Sequence, residues 1–473
     1  MEFILYDVIF LIAFVIFISA FLYIRRKNLK KEGLLLLYRA KWGIKLIDYT
    51  GTKYKKILSF IAYISILTGY LLMIGIIWLF GRIFWMYVTR SAIITQIKIP
   101  PIMPIIPYID KFVPGFPPFY FIYFIVILAI IAISHEFAHG IFMRRYGIKI
   151  KSTGFGFFPF FFPVFLAAFV EQDDKSFGKA SKFKQMAVLS AGTFANFITG
   201  ILFFFIALLM FSAAFAPAGV VFDDYAYANV NTSDIISING QQVDNPTIEQ
   251  ISELISEDYE NDIQIAEQKF VGIRGVSSSQ LDEDSKMIQL YLDSPAINKD
   301  LEGVIINIDN QKIKDIKDLS EILSEKSPGD VIEISTEKEG EKRDYEIVLE
   351  QSPFEEEESP WLGIYFFDTP AIVGDHRTTI PFIGEGNTFY KPSSDFVLFI
   401  YNLFEWLILI SISVALVNML PVGIFDGGRF FYLTIWGITK NEKFARKSFD
   451  FMTKFFLFAV LVMMIAWVIN LVL

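Results

Sequence analysis

Ser134-His135-Glu136-Phe137-Ala138-His139 decides the reading of this chain. The six residues lie in an apolar run, 119–143, whose only charged residue is Glu136. An ionisable side chain at that depth is costly and marks a functional site. Residues i and i+4 stand one above the other on a helix face, so two imidazoles at this spacing can grip one metal ion. Glu136, beside His135, is placed to act as general base toward water on that metal. The competing reading is a chance pairing of core histidines. Against it, the whole chain has three histidines and two of them are here.

The 473 residues are 54% hydrophobic and 17% aromatic, with a mean hydropathy of +0.47. That composition predicts a membrane protein carrying a soluble part. There is no cysteine, which excludes disulfides and thiolate metal ligands. The net charge of -9 conceals an asymmetry: residues 217–395 hold 38 acids and 13 bases, and the remainder holds 13 acids and 29 bases. The acidic block reads as a solvated domain. The bases elsewhere are spread along short loops, so nucleic-acid binding is not expected.

An apolar run at 3–24 has no Lys or Arg before it and Arg25, Arg26, Lys27, Lys30 and Lys31 after it. A cleavable signal peptide carries its charge at the other end, so this run reads as an uncleaved anchor. The positive-inside rule puts the N-terminus outside and the loop 25–56 in the cytoplasm. A second span at 57–80, extending toward Val88, returns outward and completes a two-span part, 1–88. Residues 89–118 form an extracytoplasmic connector; its stretch 100–118 contains seven prolines, a density that forbids helix.

Membrane segments resume at 119 in a part that extends to 216. Arg144, Arg145, Lys149 and Lys151 mark the cytoplasmic end of the third span, so His135 and His139 fall in the inner half of the bilayer. Residues 152–170 are uncharged but interrupted by Gly154, Gly156, Pro159 and Pro163. Irregular backbone at membrane depth must be covered by protein or line a watery cavity. A re-entrant hairpin or short sheet beside the metal site is expected, with an ordinary interfacial loop as the alternative. A fourth span, 185–215, carries Gly192-Thr193-Phe194-Ala195-Asn196. A small residue lets helices approach, and a buried Asn must find a partner.

Within the acidic block, Asp234-Ile235-Ile236-Ser237-Ile238-Asn239-Gly240-Gln241-Gln242-Val243 is echoed by Val304-Ile305-Ile306-Asn307-Ile308-Asp309-Asn310-Gln311-Lys312-Ile313. Each is followed by a helix-like segment, 251–256 and 319–324, at an offset near 70 residues. Strand, tight turn, strand and short helix recurring in this way resemble tandem PDZ domains. The first copy is less regular after Glu257, and the charge run 355–358 marks the edge of the block. The last part, 396–473, holds a fifth span, 396–420, with Asn402 and Glu405 inside it, and a sixth, 449–473, that leaves the C-terminus outside.

Two histidines do not complete a catalytic zinc site, which uses three protein ligands plus water. The remaining histidine, His376, lies in the extracytoplasmic block. The fifth span ends in Asn418-Met419-Leu420-Pro421-Val422-Gly423-Ile424-Phe425-Asp426-Gly427. Asp426 sits at a depth near His139, and its carboxylate would offset metal charge in a low dielectric. Its alternative is a helix cap or loop residue at the membrane surface.

At these residues the chain resembles the site-2 protease family of intramembrane zinc metalloproteases. The resemblance rests on His135-Glu136-x-x-His139, on Gly192-x-x-x-Asn196, on Asn418-x-x-Pro421-x-x-x-x-Asp426-Gly427, and on PDZ-like domains between the spans that carry the second and third of these. It covers about residues 119–473 and leaves two spans extra. It implies that His135, His139 and Asp426 bind Zn2+, that Glu136 is the base, and that Asn196 and Asn418 contact the substrate near the site. It also implies substrates that are membrane-spanning helices of other proteins, within the lipid bilayer. Thr193 departs from the proline many members carry there. The expected fold is a multi-span α-helical membrane protein of about six transmembrane helices with an extracytoplasmic α+β PDZ-like insertion, its active site toward the cytoplasm. A metal transporter is disfavoured because the ligands cluster toward one face and no transmembrane repeat is visible. A noncatalytic PDZ-type adaptor is disfavoured because metal binding alone does not need Glu136.

Overall fold

Six helices are long and apolar enough to cross a membrane among the residues described. They are Glu2–Ile24, Lys55–Thr89, Phe121–Arg145, Lys182–Ala214, Asp395–Asn418 and Glu442–Val472, named here the first to sixth spans. The structure is a computed structural model that describes the chain apart from residues 1, 33–34, 42, 90–99, 102–104, 113–115, 158–165, 256–260, 267, 277–286, 339, 355–358, 368 and 473. The charge run at 355–358 therefore lies outside the described residues, as do 256–260, 267 and 277–286 of the first copy and part of the proline-rich stretch. The described remainder after Glu257 forms strands Ile263–Ile265, Gln268–Val276 and Met287–Leu292. What is described of that stretch contains one turn of 3-10 helix, Ile109–Lys111.

The chain divides into two units, Met1–Leu209 with Phe399–Leu473, and Met210–Leu398. The first holds the spans. Its core packs Leu72, Met73, Phe142, Met186, Met419 and Phe430 together, which joins the second, third and fourth spans to the segment after the fifth. The second span approaches closely at Gly69, where an added Cβ would stand 3.3 Å from Met419, Phe430 and Ser190. Ser65 and Ser190 share a buried hydrogen bond of 2.8 Å, and Tyr70 meets Thr434 at 3.1 Å. Glu405 is buried within the fifth span and has a partner.

One acid in the first span has a role the apolar run conceals. Asp7 is 3% exposed. Its Oδ2 accepts from Tyr108 Oη and Phe121 N, each at 2.7 Å, and its Oδ1 from Ile122 N at 3.0 Å. The first N–H groups of a helix have no partner within it. Asp7 supplies one from another span and ties the first span to the start of the third.

Four antiparallel strands form a sheet in this unit: β1 Leu29–Glu32, β2 Leu35–Ala40, β3 Ile150–Phe157 and β4 Leu166–Gln172, in that order. The segment 152–170 thus contributes two paired strands, and the residues joining them lie outside those described. The loop 25–56 is more ordered than its sequence suggests. It supplies the hairpin β1–β2 and a helix, Ile44–Lys53. The difference is physical: β2 pairs with β3 in the register Leu36↔Phe157 to Ala40↔Thr153, a partner too distant in sequence to leave a local signal. Among the described residues β4 pairs with a strand on one side only.

The second unit repeats a small motif. Ser237–Ile238 pairs with Gln241–Gln242 across Asn239 and Gly240, whose φ angles are 51° and 78°. In the echo, Val304–Ile308 pairs with Gln311–Lys312 across Asp309 and Asn310, at 49° and 64°. Positive φ at both central residues is the type I′ turn of two-residue hairpins, which Asn, Asp and Gly tolerate. A capped helix follows each turn. Ile248–Leu254 has a capping box of Thr247 and Gln250, and Asp315 caps Ile316–Ser324. Lys326 beside Asp309 and the Glu333 N–H hold the Asp309 carboxyl below its ordinary range. Separate cores form around Ile238, Ile251 and Phe270 and around Ile308, Leu319 and Ile334. Strand Phe215–Val220, directly after the fourth span, pairs antiparallel with Thr388–Pro392, shortly before the fifth.

Candidate active site

His135 and His139 lie one turn apart on the third span, with Nε2 atoms 3.0 Å from each other. Asp426 Oδ2 stands 3.4 Å from His135 Nε2 and 3.2 Å from His139 Nε2. The three residues offer ligand atoms within 4.8 Å of one another, a group that could hold a metal ion. Tetrahedral zinc with bonds of about 2.0–2.1 Å separates its ligand atoms by about 3.3 Å, so the spacing fits that ion. The donor chemistry fits as well. His139 Nδ1 is 2.7 Å from Val188 O. A carbonyl only accepts, so Nδ1 carries the proton and Nε2 presents a lone pair to the group.

Asp426 reaches this point because the chain reverses after the fifth span. Met419 N donates to Leu416 O, Val422 N to Leu420 O and Phe425 N to Val422 O. A new helix, Asp426–Thr439, then starts on Asp426 itself. Its first turn rests on the backbone just left behind, for a Cβ at Gly427 would lie 2.6 Å from Met419 Cα. A carboxylate in the first turn is favoured by the positive end of the helix dipole.

The fourth span closes the site from the other side. A Cβ on Gly192 would stand 2.7 Å from both His135 Nε2 and His135 Cε1, and nearer still to His139 Nε2. Only glycine lets this helix come so close to both imidazoles. One turn later, Asn196 Nδ2 is 3.1 Å from His135 Nδ1.

Glu136 Oε2 accepts from Val170 N at 2.8 Å, which ties the acid to β4. Both residues line a cleft of about 480 Å³ shared with His135, His139, Asn418 and Asp426. Its polar lining continues through Lys151, Glu171 and Asp174. Glu171 is held by Arg39 at 3.2 Å and by the Ser152 hydroxyl at 2.6 Å.

Five of the expected residues therefore share one cleft: His135, Glu136, His139, Asn418 and Asp426. Asn196 does not line it. It is fully buried and turned to the back of the His135 ring, which differs from the substrate contact the resemblance implies. His376 lies in the second unit. Ser134, Val188 and Val170 escaped the sequence reading. The last two act through backbone atoms, which leave no mark in side-chain identity.

The pattern of Peptidase family M50 matches residues 123–344 and 383–466. The chain belongs to that family. No curated protein matches it. Membership in M50, a family generally of zinc metalloproteases, makes this membrane protein a peptidase. The M50 match begins inside the third span and includes both histidines, Glu136 and Asp426. The first two spans, with Asp7 and the hairpin β1–β2, lie outside it, and the gap 345–382 falls in the second unit.

Proposed function

We propose that this protein is an intramembrane zinc endopeptidase that hydrolyses peptide bonds within membrane-spanning segments of other proteins. The observation that carries the reading is the convergence of His135 Nε2, His139 Nε2 and Asp426 Oδ2 beside Glu136 on a helix of spanning length. In this reading the three converging residues hold the zinc. When bound, zinc supplies Lewis acidity that acidifies water and polarises the scissile carbonyl.

The chain's own groups do the rest. Glu136 takes the proton of the attacking water and returns it to the leaving amide nitrogen. The Val170 N–H holds one oxygen of Glu136, leaving the other for proton transfer. Asn418 lines the cleft and offers its amide to the substrate backbone. A helical substrate hides its carbonyls in i to i+4 hydrogen bonds, so it must be drawn out before attack. An extended strand can add to a sheet edge through main-chain hydrogen bonds, and β4, whose Val170 N–H is taken by Glu136, offers the remainder of its outer edge at the cleft wall. Lys151, Glu171 and Asp174 give water a polar path.

By the positive-inside rule, both termini and residues 217–395 lie outside and the site faces the cytoplasm. The repeated hairpin-and-helix units support a PDZ-like region that selects substrates. The domain scheme is then the N-terminal pair of spans 1–88, the connector 89–118, the core parts 119–216 and 396–473, and this insertion. Purified protein should cleave a membrane-spanning substrate, lose activity to a chelator and regain it with zinc, and His139→Ala should lose zinc. Cleavage indifferent to chelation, or undiminished zinc in His139→Ala, would contradict the proposal.

A further inference from the structure

Asn196 and Ser134 form a pair behind His135 that the cleavage reaction does not use. Ser134 Oγ stands 3.1 Å from Ile131 O and 3.3 Å from Asn196 Oδ1. Asn196 Nδ2 stands 3.1 Å from His135 Nδ1. A hydroxyl has one hydrogen to donate, and an amide has a donor end and an acceptor end. Two arrangements satisfy all these atoms. In one, Ser134 donates to Asn196 Oδ1, Asn196 Nδ2 donates to His135 Nδ1, and the His135 proton sits on Nε2. That proton has His139 Nε2 at 3.0 Å to receive it, and this ring cannot ligate through Nε2. In the other, the amide is turned half a revolution. Oδ1 accepts from His135 Nδ1–H, Nδ2 donates to Ser134 Oγ, and Ser134 donates to Ile131 O. His135 Nε2 is then bare, as ligation requires.

We infer that Asn196 is a positioning residue that holds His135 in its ligating tautomer, with Ser134 as the hydroxyl that lets the amide turn without losing a hydrogen bond. The inference rests on the zinc reading above. His139 needs no such device, because the Val188 carbonyl fixes its Nδ1–H permanently. The Gly192-x-x-x-Asn196 spacing acquires a physical meaning. Gly192 brings the fourth span against the ligating face of the two rings, and one turn later Asn196 meets the opposite nitrogen of His135. Partners of this kind set the orientation and basicity of a metal-bound imidazole.

The test compares zinc affinity, by chelator competition, in the full-length wild type, Asn196→Leu and Asn196→Asp, with unfolding of each metal-free form as a folding control. Leu keeps the volume and removes the acceptor, so affinity should fall about 10–100-fold, while KM at saturating zinc stays at its wild-type value. Asp accepts but cannot donate, so it should rescue most of the affinity. It should also place the His135 proton on Nδ1 in the metal-free protein. Imidazole 15N spectra can read this, because the chain has three histidines. If Leu does not fold, the Asp variant decides alone. Retained zinc with abolished turnover would mean that the amide donates to substrate, and would overturn the inference. Unchanged zinc affinity in a folded Leu variant would overturn it too. Wild-type protein without measurable zinc would instead overturn the metal reading itself.

Discussion

Gly192→Ala is the sharpest single-atom perturbation the structure offers. The added methyl would sit 2.7 Å from His135 Nε2, against an ordinary contact of 3.4 Å or more. The fourth span or the His135 ring must therefore give way by about 0.7 Å, and the His139 ring, which is nearer still, by more. Metal–ligand distances tolerate about 0.2 Å, so the helix has to move if the metal stays. Overpacking of this kind costs about 1–3 kcal/mol. Borne by the loaded state alone, it weakens zinc binding about 5- to 150-fold. Chelator competition measures the loss, and thermal unfolding of the metal-free form shows whether the fold survives. Gly200→Ala is the control on the same helix. Its methyl would meet Ile412 Cδ1 at 2.7 Å, a terminal group that can turn aside, and no histidine. Gly192→Ala protein that binds zinc as tightly as wild type would refute the close approach and the packing argument built on it.

Two further outcomes follow. Asp7→Ala leaves the first N–H groups of the third span and the Tyr108 hydroxyl without their acceptor, at about 1–3 kcal/mol for a buried donor; a thermal unfolding midpoint equal to wild type would rule the cap out. Deleting residues 222–366 across a short linker removes both repeated units but keeps the Phe215–Val220 and Thr388–Pro392 ladder. Zinc binding should persist and substrates with bulkier ectodomains should become cleavable. Loss of cleavage of short-ectodomain substrates, with zinc and fold intact, would show that the region positions substrate instead of filtering it.

What the sequence discloses follows from which forces act locally. Histidine is so scarce here that a pair at helical spacing is conspicuous. The hairpin turns announce themselves because positive φ at Asn239-Gly240 and Asp309-Asn310 restricts residue choice. The hairpin β1–β2 was invisible because its partner strand β3 lies far along the chain, and because Lys30 and Lys31 read as topology signals. Asp7 was one acid in an apolar run, and its partners are distant in sequence, Tyr108 within the proline-rich stretch and Phe121 and Ile122 beyond it. Asn196 shows a different limit. A motif says that a residue matters near the site, but only coordinates say which face of His135 it meets.

The central claim is that Glu136 performs proton transfer at a zinc held by His135, His139 and Asp426. The direct measurement is zinc content and turnover of a membrane-spanning substrate by purified Glu136→Gln protein beside wild type. Glutamine keeps the shape and the acceptor for Val170 N–H but cannot take a proton from water. The account predicts one zinc per chain in both proteins and turnover lower by about 10²–10⁴-fold in the variant. Wild-type turnover by Glu136→Gln protein with its zinc in place would contradict it.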